Sequence, residues 1–178
     1  MAFLIKDQRG NRAQAANGRN AIVEQLIQVS RAAKALPQTT NQQIFRIYGG
    51  RVWVKHLIGT VTTVIEGTDP VAKVTYAALT DANTLVGTAY DIGATLDISS
   101  DEVGTLLSVE GDGSAIISGG QVAGSCETTG TGFIAAQGQL YLVTGASKTG
   151  AIKWDLWYMP LDNGAYVVPV DVATVAIT

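Results

Sequence analysis

Ile44-Phe45-Arg46-Ile47-Tyr48-Gly49-Gly50-Arg51-Val52-Trp53-Val54-Lys55-His56-Leu57 runs at a period of two on both sides of a glycine pair. That period sends successive side chains to opposite faces of an extended chain, so each half reads as a strand buried on one face. The glycines supply the positive φ of a tight turn, and the stretch is expected to form a hairpin about Gly49-Gly50. Gly59 then reads as a bulge ahead of the β-branched run Thr60-Val61-Thr62-Thr63-Val64-Ile65. Further strands are expected near 71–78, 84–90, 93–99, 104–110, 114–118, 132–136, 139–144, 151–159 and 165–176. Asp112-Gly113 and Asn163-Gly164 read as hairpin turns. Short strands, 20 glycines and regular turn signals point to a mainly β chain, an antiparallel β-sandwich or jelly-roll-like barrel. No helix-length pattern separates the strands, which argues against a parallel α/β sheet.

Upstream the pattern differs. Residues 1–19 are rich in Asn, Gln, Ala, Arg and Gly without periodicity, and read as an arm that orders against a partner. An α-helix is expected to follow, with Asn20 as N-cap, Glu24 in the first turn, Lys34 in the last and Pro37 as the stop. Ile22, Leu26, Val29, Ala33 and Leu36 would form its apolar seam, packed either on the protein's own β body or on a partner. The expected division is a basic arm and helix over 1–38 and an all-β body over 39–178.

Charge follows that division. Residues 1–56 hold nine basic and two acidic side chains, a net +7, and residues 57–178 hold three and thirteen, a net −10. Such asymmetry suits two parts that face different partners. Hydrophobic residues make up 47% of the 178, enough for a core. Cys126, the lone cysteine, excludes an internal disulfide framework and fits synthesis in a reducing cytoplasm. Met1-Ala2-Phe3-Leu4-Ile5 is too short for the apolar region of a signal peptide, and no run has the roughly 18 apolar residues of a membrane-spanning helix, so a soluble protein is expected.

The inventory for catalysis is thin. His56, the only histidine, sits in an alternating strand with no Asp, Ser or Cys nearby to suggest a triad. One Cys and one His cannot supply the nitrogen and sulfur ligands of an ordinary zinc site. Asp97, Asp101, Glu102, Glu110 and Asp112 lack the spacing of a calcium loop and read as solvated turns. Thr144-Gly145-Ala146-Ser147-Lys148-Thr149-Gly150 lacks the Gly-Lys-Ser/Thr order of a phosphate loop. The chain is therefore expected to be no enzyme, with no cofactor, no metal and no small-molecule substrate.

Ala151-Ile152-Lys153-Trp154-Asp155-Leu156-Trp157-Tyr158-Met159 assigns Ile152, Trp154, Leu156 and Tyr158 to the core and turns Trp157 and Met159 outward, where they are either covered by the arm or form part of a subunit contact. For the arm, Lys6, Arg9, Arg12 and Arg19 could neutralise phosphates. With Phe3 its only aromatic and an acidic body behind it, protein is preferred to nucleic acid as its partner.

Two blocks carry a family resemblance. Gln43 to Val54 with Leu57 to Ile65, and Ile152-Lys153-Trp154-Asp155-Leu156-Trp157-Tyr158-Met159-Pro160-Leu161-Asp162-Asn163-Gly164-Ala165-Tyr166-Val167, resemble stretches of small virion proteins of tailed bacteriophages. The resemblance implies a structural component of the particle, most like a capsid decoration (cement) protein, made in the host cytoplasm and held on the capsid surface as a homotrimer. It assigns no catalytic residue. The expected partners are then the major capsid protein and other copies of the chain, with no membrane. Phe3, Leu4 and Ile5 would anchor the arm, Arg9, Arg12 and Arg19 would meet capsid carboxylates, and Ile22, Leu26 and Val29 would dock at a subunit junction. The competing reading is a tail or fibre component, either a tail-tube subunit or a host glycan-binding protein using Trp53, Trp157 and Tyr166.

Overall fold

The computed structural model describes residues 26–38, 41–67, 71–80, 84, 89–109, 117–118, 132–145 and 149–171. Its strands are β1 (Ile27–Ala35), β2 (Asn41–Tyr48), β3 (Val52–Thr63), β4 (Val71–Ala78), β5 (Tyr90–Asp91), β6 (Leu96–Asp97), β7 (Leu106–Ser108), β8 (Ile117–Ser118), β9 (Phe133–Ala135), β10 (Gly138–Thr144), β11 (Ala151–Pro160) and β12 (Tyr166–Pro169). They form two antiparallel sheets. The first runs β1-β11-β3-β7-β8 with β9 also on β3, and the second β12-β2-β10-β4-β5 with β6 also on β4. The expectation of an antiparallel β-sandwich holds.

The first four strands alternate between the sheets, and their partners return in reverse order. β1 pairs with β11, β2 with β10 and β12, β3 with β11, β9 and β7, and β4 with β10, β6 and β5. This nested pairing corrects the local hairpins. β2 and β3 lie in different sheets, so Gly49-Gly50 is a crossing between sheets and not a hairpin turn. The same holds for Asn163-Gly164, which carries the chain from β11 to β12. Both crossings share one end of the sandwich. Gly49 and Gly50 have φ of 72° and 136°, and a Cβ on Gly49 would lie 2.4 Å from the Gly164 carbonyl oxygen. Arg51 fastens this corner to Asp162 with a guanidinium fork, at 3.0 Å from Nε and 2.8 Å from Nη2, and with its backbone N–H at 2.7 Å. The turn chemistry was legible. Which strands it joined was not, because a glycine pair turns the chain equally well within a sheet or between two. The Asp112-Gly113 turn lies outside the described residues.

The core fills the space between the sheets. Val52, Val54, Leu57, Val61, Ile152, Trp154 and Leu156 from the first sheet meet Phe45, Ile47, Val74, Leu140, Leu142 and Val167 from the second. Trp154 is wholly buried and pairs across strands with Gly59. A Cβ there would stand 3.0 Å from the indole and 3.1 Å from Ile152, so Gly59 is a floor for the ring. It is not the expected bulge. The register shifts of β3 against β11 fall on either side of it, one between Ala151 and Ile152, the other between Trp157 and Tyr158. Tyr158 spans the core, and its hydroxyl accepts the Val167 N–H at 3.2 Å.

The largest correction concerns the helix expected after Asn20. Residues 27–35 form β1, hydrogen-bonded along β11, so they belong to the body and not to an arm and helix ending at 38. Ile27 and Val29 face the core, Gln28 and Ser30 are exposed, and Arg31 is buried again. Ile27-Gln28-Val29-Ser30-Arg31 thus carries a period of two that overlaps the helical one, and the β11 ladder decides between them. The seam disappears with the helix: Val29 packs on the core, Ala33 is exposed and Ile22 lies outside the described residues. Arg31 closes the sandwich edge. It is 1% exposed, and its Nε donates to the Val170 carbonyl at 2.9 Å, tying β1 to the end of β12. Burial draws its pKa down from the ordinary arginine value, opposed by the charge of Asp171.

Candidate partner-binding face

The outer face of the first sheet is built by β11 and its neighbours. Inward Ile152, Trp154, Leu156 and Tyr158 leave Lys153, Asp155, Trp157 and Met159 outward, as expected. Strand register sets them in rows. Met159 is opposite Trp53, which is opposite Ile134, giving an apolar row across β11, β3 and β9. The next row is Gln28, Trp157 and His56, and the one after it Ser30, Asp155 and Ile58. Ile134 is 65% exposed and the two tryptophans are half-buried.

Charge on this face is uneven. Asp155 is 7% exposed yet satisfied: Ser30 Oγ donates to its Oδ1, and Lys153 Nζ lies 3.0 Å from Oδ2. Lys55 occupies the extra position where β3 slips against Trp157 and Tyr158, and a bulge of this kind re-aims a side chain. Its ammonium sits 4.8 Å from the Trp53 ring centroid, a cation–π contact. It has no carboxylate partner among the described residues. His56 meets Trp157 edge-on at 6.2 Å. Burial and the neighbouring Lys55 charge push its pKa down, so it is neutral at neutral pH.

A second feature lies at the far end of β3. Val64, Ile65 and Glu66 leave the strand and meet the 100–103 turn, where Ile65 and Asp101 are joined backbone to backbone at 3.1 Å. Between them is a shallow depression of about 360 Å³ lined by Val64, Ile65, Glu66, Ser100, Glu102 and Val103. Val64 is 38% exposed and Val103 50%, with Glu66 and Glu102 exposed beside them. Asp101 beneath is 3% exposed, and its Oδ2 has no hydrogen-bond partner among the described residues. Burial, with the Asp97 charge adding, pushes its pKa up to about 6.

This corrects the reading of the acidic cluster as solvated turns. Asp97 fits that reading, its Oδ1 accepting the Ser99 N–H at 2.8 Å, but Asp101 is buried, and Glu110 and Asp112 lie outside the described residues. Val103, apolar within an acidic turn, was the available signal for the depression.

Of the other expected contact residues, Phe3, Leu4, Ile5, Arg9, Arg12, Arg19 and Ile22 lie outside the described residues. Leu26 is half-buried just before β1, Val29 packs on the core, and Trp157 and Met159 share the outer face. The aromatic residues considered for glycan binding are divided. Trp53 and Trp157 are on the first sheet, whereas Tyr166 stacks on Tyr48 on the second, with centroids 5.3 Å apart.

No protein-family model matches the chain, and no curated protein matches it. Among solved structures it is similar to a chain in the structure of infectious bursal disease virus Gx strain, at 11% identity and a TM-score of 0.25, over 85% of this chain. The match covers 39% of that chain.

Proposed function

We propose that this protein is a non-enzymatic viral structural protein that binds the outside of a phage capsid and stabilises the shell. The supporting observation is where the two virion-like blocks fall. Residues 43–54 and 57–65 form most of β2 and β3, residues 152–167 most of β11 and the start of β12, and the two blocks pair with each other in both sheets. Their corner is fastened by Arg51 and Asp162. A signature that closes one end of a sandwich is a scaffold signature, with no constellation of nucleophile, base and orienting group inside it. The nested strand order agrees with a jelly roll, an architecture used by capsid and lectin domains.

The mechanism is physical. Packaged DNA strains a thin shell along the seams between its subunits. A protein that binds only the assembled shell across those seams stabilises it by mass action, by RT ln(1 + [L]/Kd). The basic arm, Arg9, Arg12 and Arg19 with the anchor Phe3-Leu4-Ile5, reaches the major capsid protein, and a trimer multiplies that contact by avidity. The partners are capsid protein and other copies of the chain; nucleic acid, membrane, cofactor and small-molecule substrate have no part in the reading.

Binding of the full chain to emptied heads of the parent phage, at low and high salt, tests this. The native chain binds and weakens with salt, and an Arg9→Glu/Arg12→Glu/Arg19→Glu variant loses about tenfold or more in affinity. Failure of the native chain to bind heads, with tube formation or glycan binding instead, assigns the protein to the tail.

A further inference from the structure

The two features on β3 complement each other. At one end an apolar row, Ile134, Trp53 and Met159, lies beside the cation Lys55. At the other, the exposed valines Val64 and Val103 lie beside Glu66 and Glu102. Lys55, Glu66 and Glu102 have no ion-pair partner among the described residues, and the two patches carry charge of opposite sign beside exposed apolar side chains. Ile134, Val64 and Val103 are three of the five large apolar side chains that the described residues leave exposed.

We infer that copies of this chain associate head to tail, the Trp53–Lys55–Ile134 face of one docking over the Val64–Glu66–Glu102–Val103 depression of the next. Because the two patches occupy different places on one subunit, the contact is heterologous and closes into a ring when the rotation between copies permits. A two-fold contact of the aromatic face with itself would put both copies of Lys55 in one interface without the carboxylates that Glu66 and Glu102 supply. The Lys55 ammonium lies over one face of Trp53, where a sugar ring would otherwise stack. A second copy satisfies both charge and apolar surface. The inference rests on the assembly half of the function proposed above and supplies the surface it lacks.

Light scattering and sedimentation of the full chain across a concentration series test it. The native protein forms a closed oligomer of fixed stoichiometry. Lys55→Glu alone, and Glu66→Lys/Glu102→Lys alone, each raise the midpoint concentration of assembly by about tenfold or more at low salt. The combined Lys55→Glu/Glu66→Lys/Glu102→Lys chain restores complementarity and reassembles. Glu66 and Glu102 are exposed and Lys55 is half-buried, and unchanged thermal midpoints show that the variants fold. A monomeric native chain, variants that assemble like the native one, or a combined variant no better than its parents would each overturn the inference. Shell binding by a monomer would overturn it and leave the capsid reading standing, and a ring that ignores shells would do the reverse.

Discussion

Asp101 stores a pH dependence in a single side chain. Its carboxyl titrates at 3.8 in an ordinary setting and at about 6 in the fold, because burial and the Asp97 charge disfavour its ionised form. The folded state therefore holds a proton that the unfolded chain has released between those two values, and stability falls as pH rises from about 4 to about 6. The loss is complete above that window and amounts to at most about 3 kcal/mol. Asp101→Asn removes the charge while keeping the shape. It raises the unfolding midpoint at pH 7.5, leaves it nearly unchanged at pH 4 and flattens the profile between; a lower midpoint at pH 7.5 would mean that the carboxylate contributes favourably. Gly59 is constrained from the other side, by space. A methyl group at this site meets Trp154 and Ile152 at 3.0 and 3.1 Å, and both are buried. Gly59→Ala is expected to cost about 1–3 kcal/mol in urea unfolding without a change in slope. Neither property is visible in sequence. Asp101 looks like any turn aspartate and Gly59 like any strand glycine until the opposing strand is known.

At the scale of elements, β1 shows how two periodicities compete. Leu26, Val29, Ala33 and Leu36 satisfy helical spacing, while Ile27, Val29 and Arg31 satisfy strand spacing and share Val29. Pairing with β11 makes the second set productive, since it puts Ile27 and Val29 on the core and lets Arg31 reach the Val170 carbonyl. The two geometries differ in a measurable way. A helical seam gives Val29 and Ala33 the same burial, whereas the strand leaves Ala33 exposed. Val29→Asp should destabilise by about 2–3 kcal/mol and Ala33→Asp by less than about 0.5 kcal/mol in chemical denaturation. Equal and large costs at both sites would restore the helix. The strands β4, β10 and β11 were legible because each buries a face along its whole length. By contrast, β5 and β6 are two-residue ladders, too short for a period to register.

The whole molecule obeys rules that local patterns do not carry. An antiparallel sandwich could be read from alternation, glycine content and turn spacing. The nested order could not, because it depends on which of several compatible strands meet across 100 residues or more, as β1 and β11 do. The candidate faces divide in the same way. Trp157 and Met159 were readable as outward from one strand's alternation, but Ile134 and Lys55 join them only through cross-strand register, and the Val64–Val103 depression only through the turn packed against β3. The proposed position on the outside of the head is tested directly by locating the protein in the particle. Immunogold labelling of intact virions with antibody raised against the full chain should place the label over the head surface. Label confined to the tail, or exposed only after the head is opened, would contradict the account.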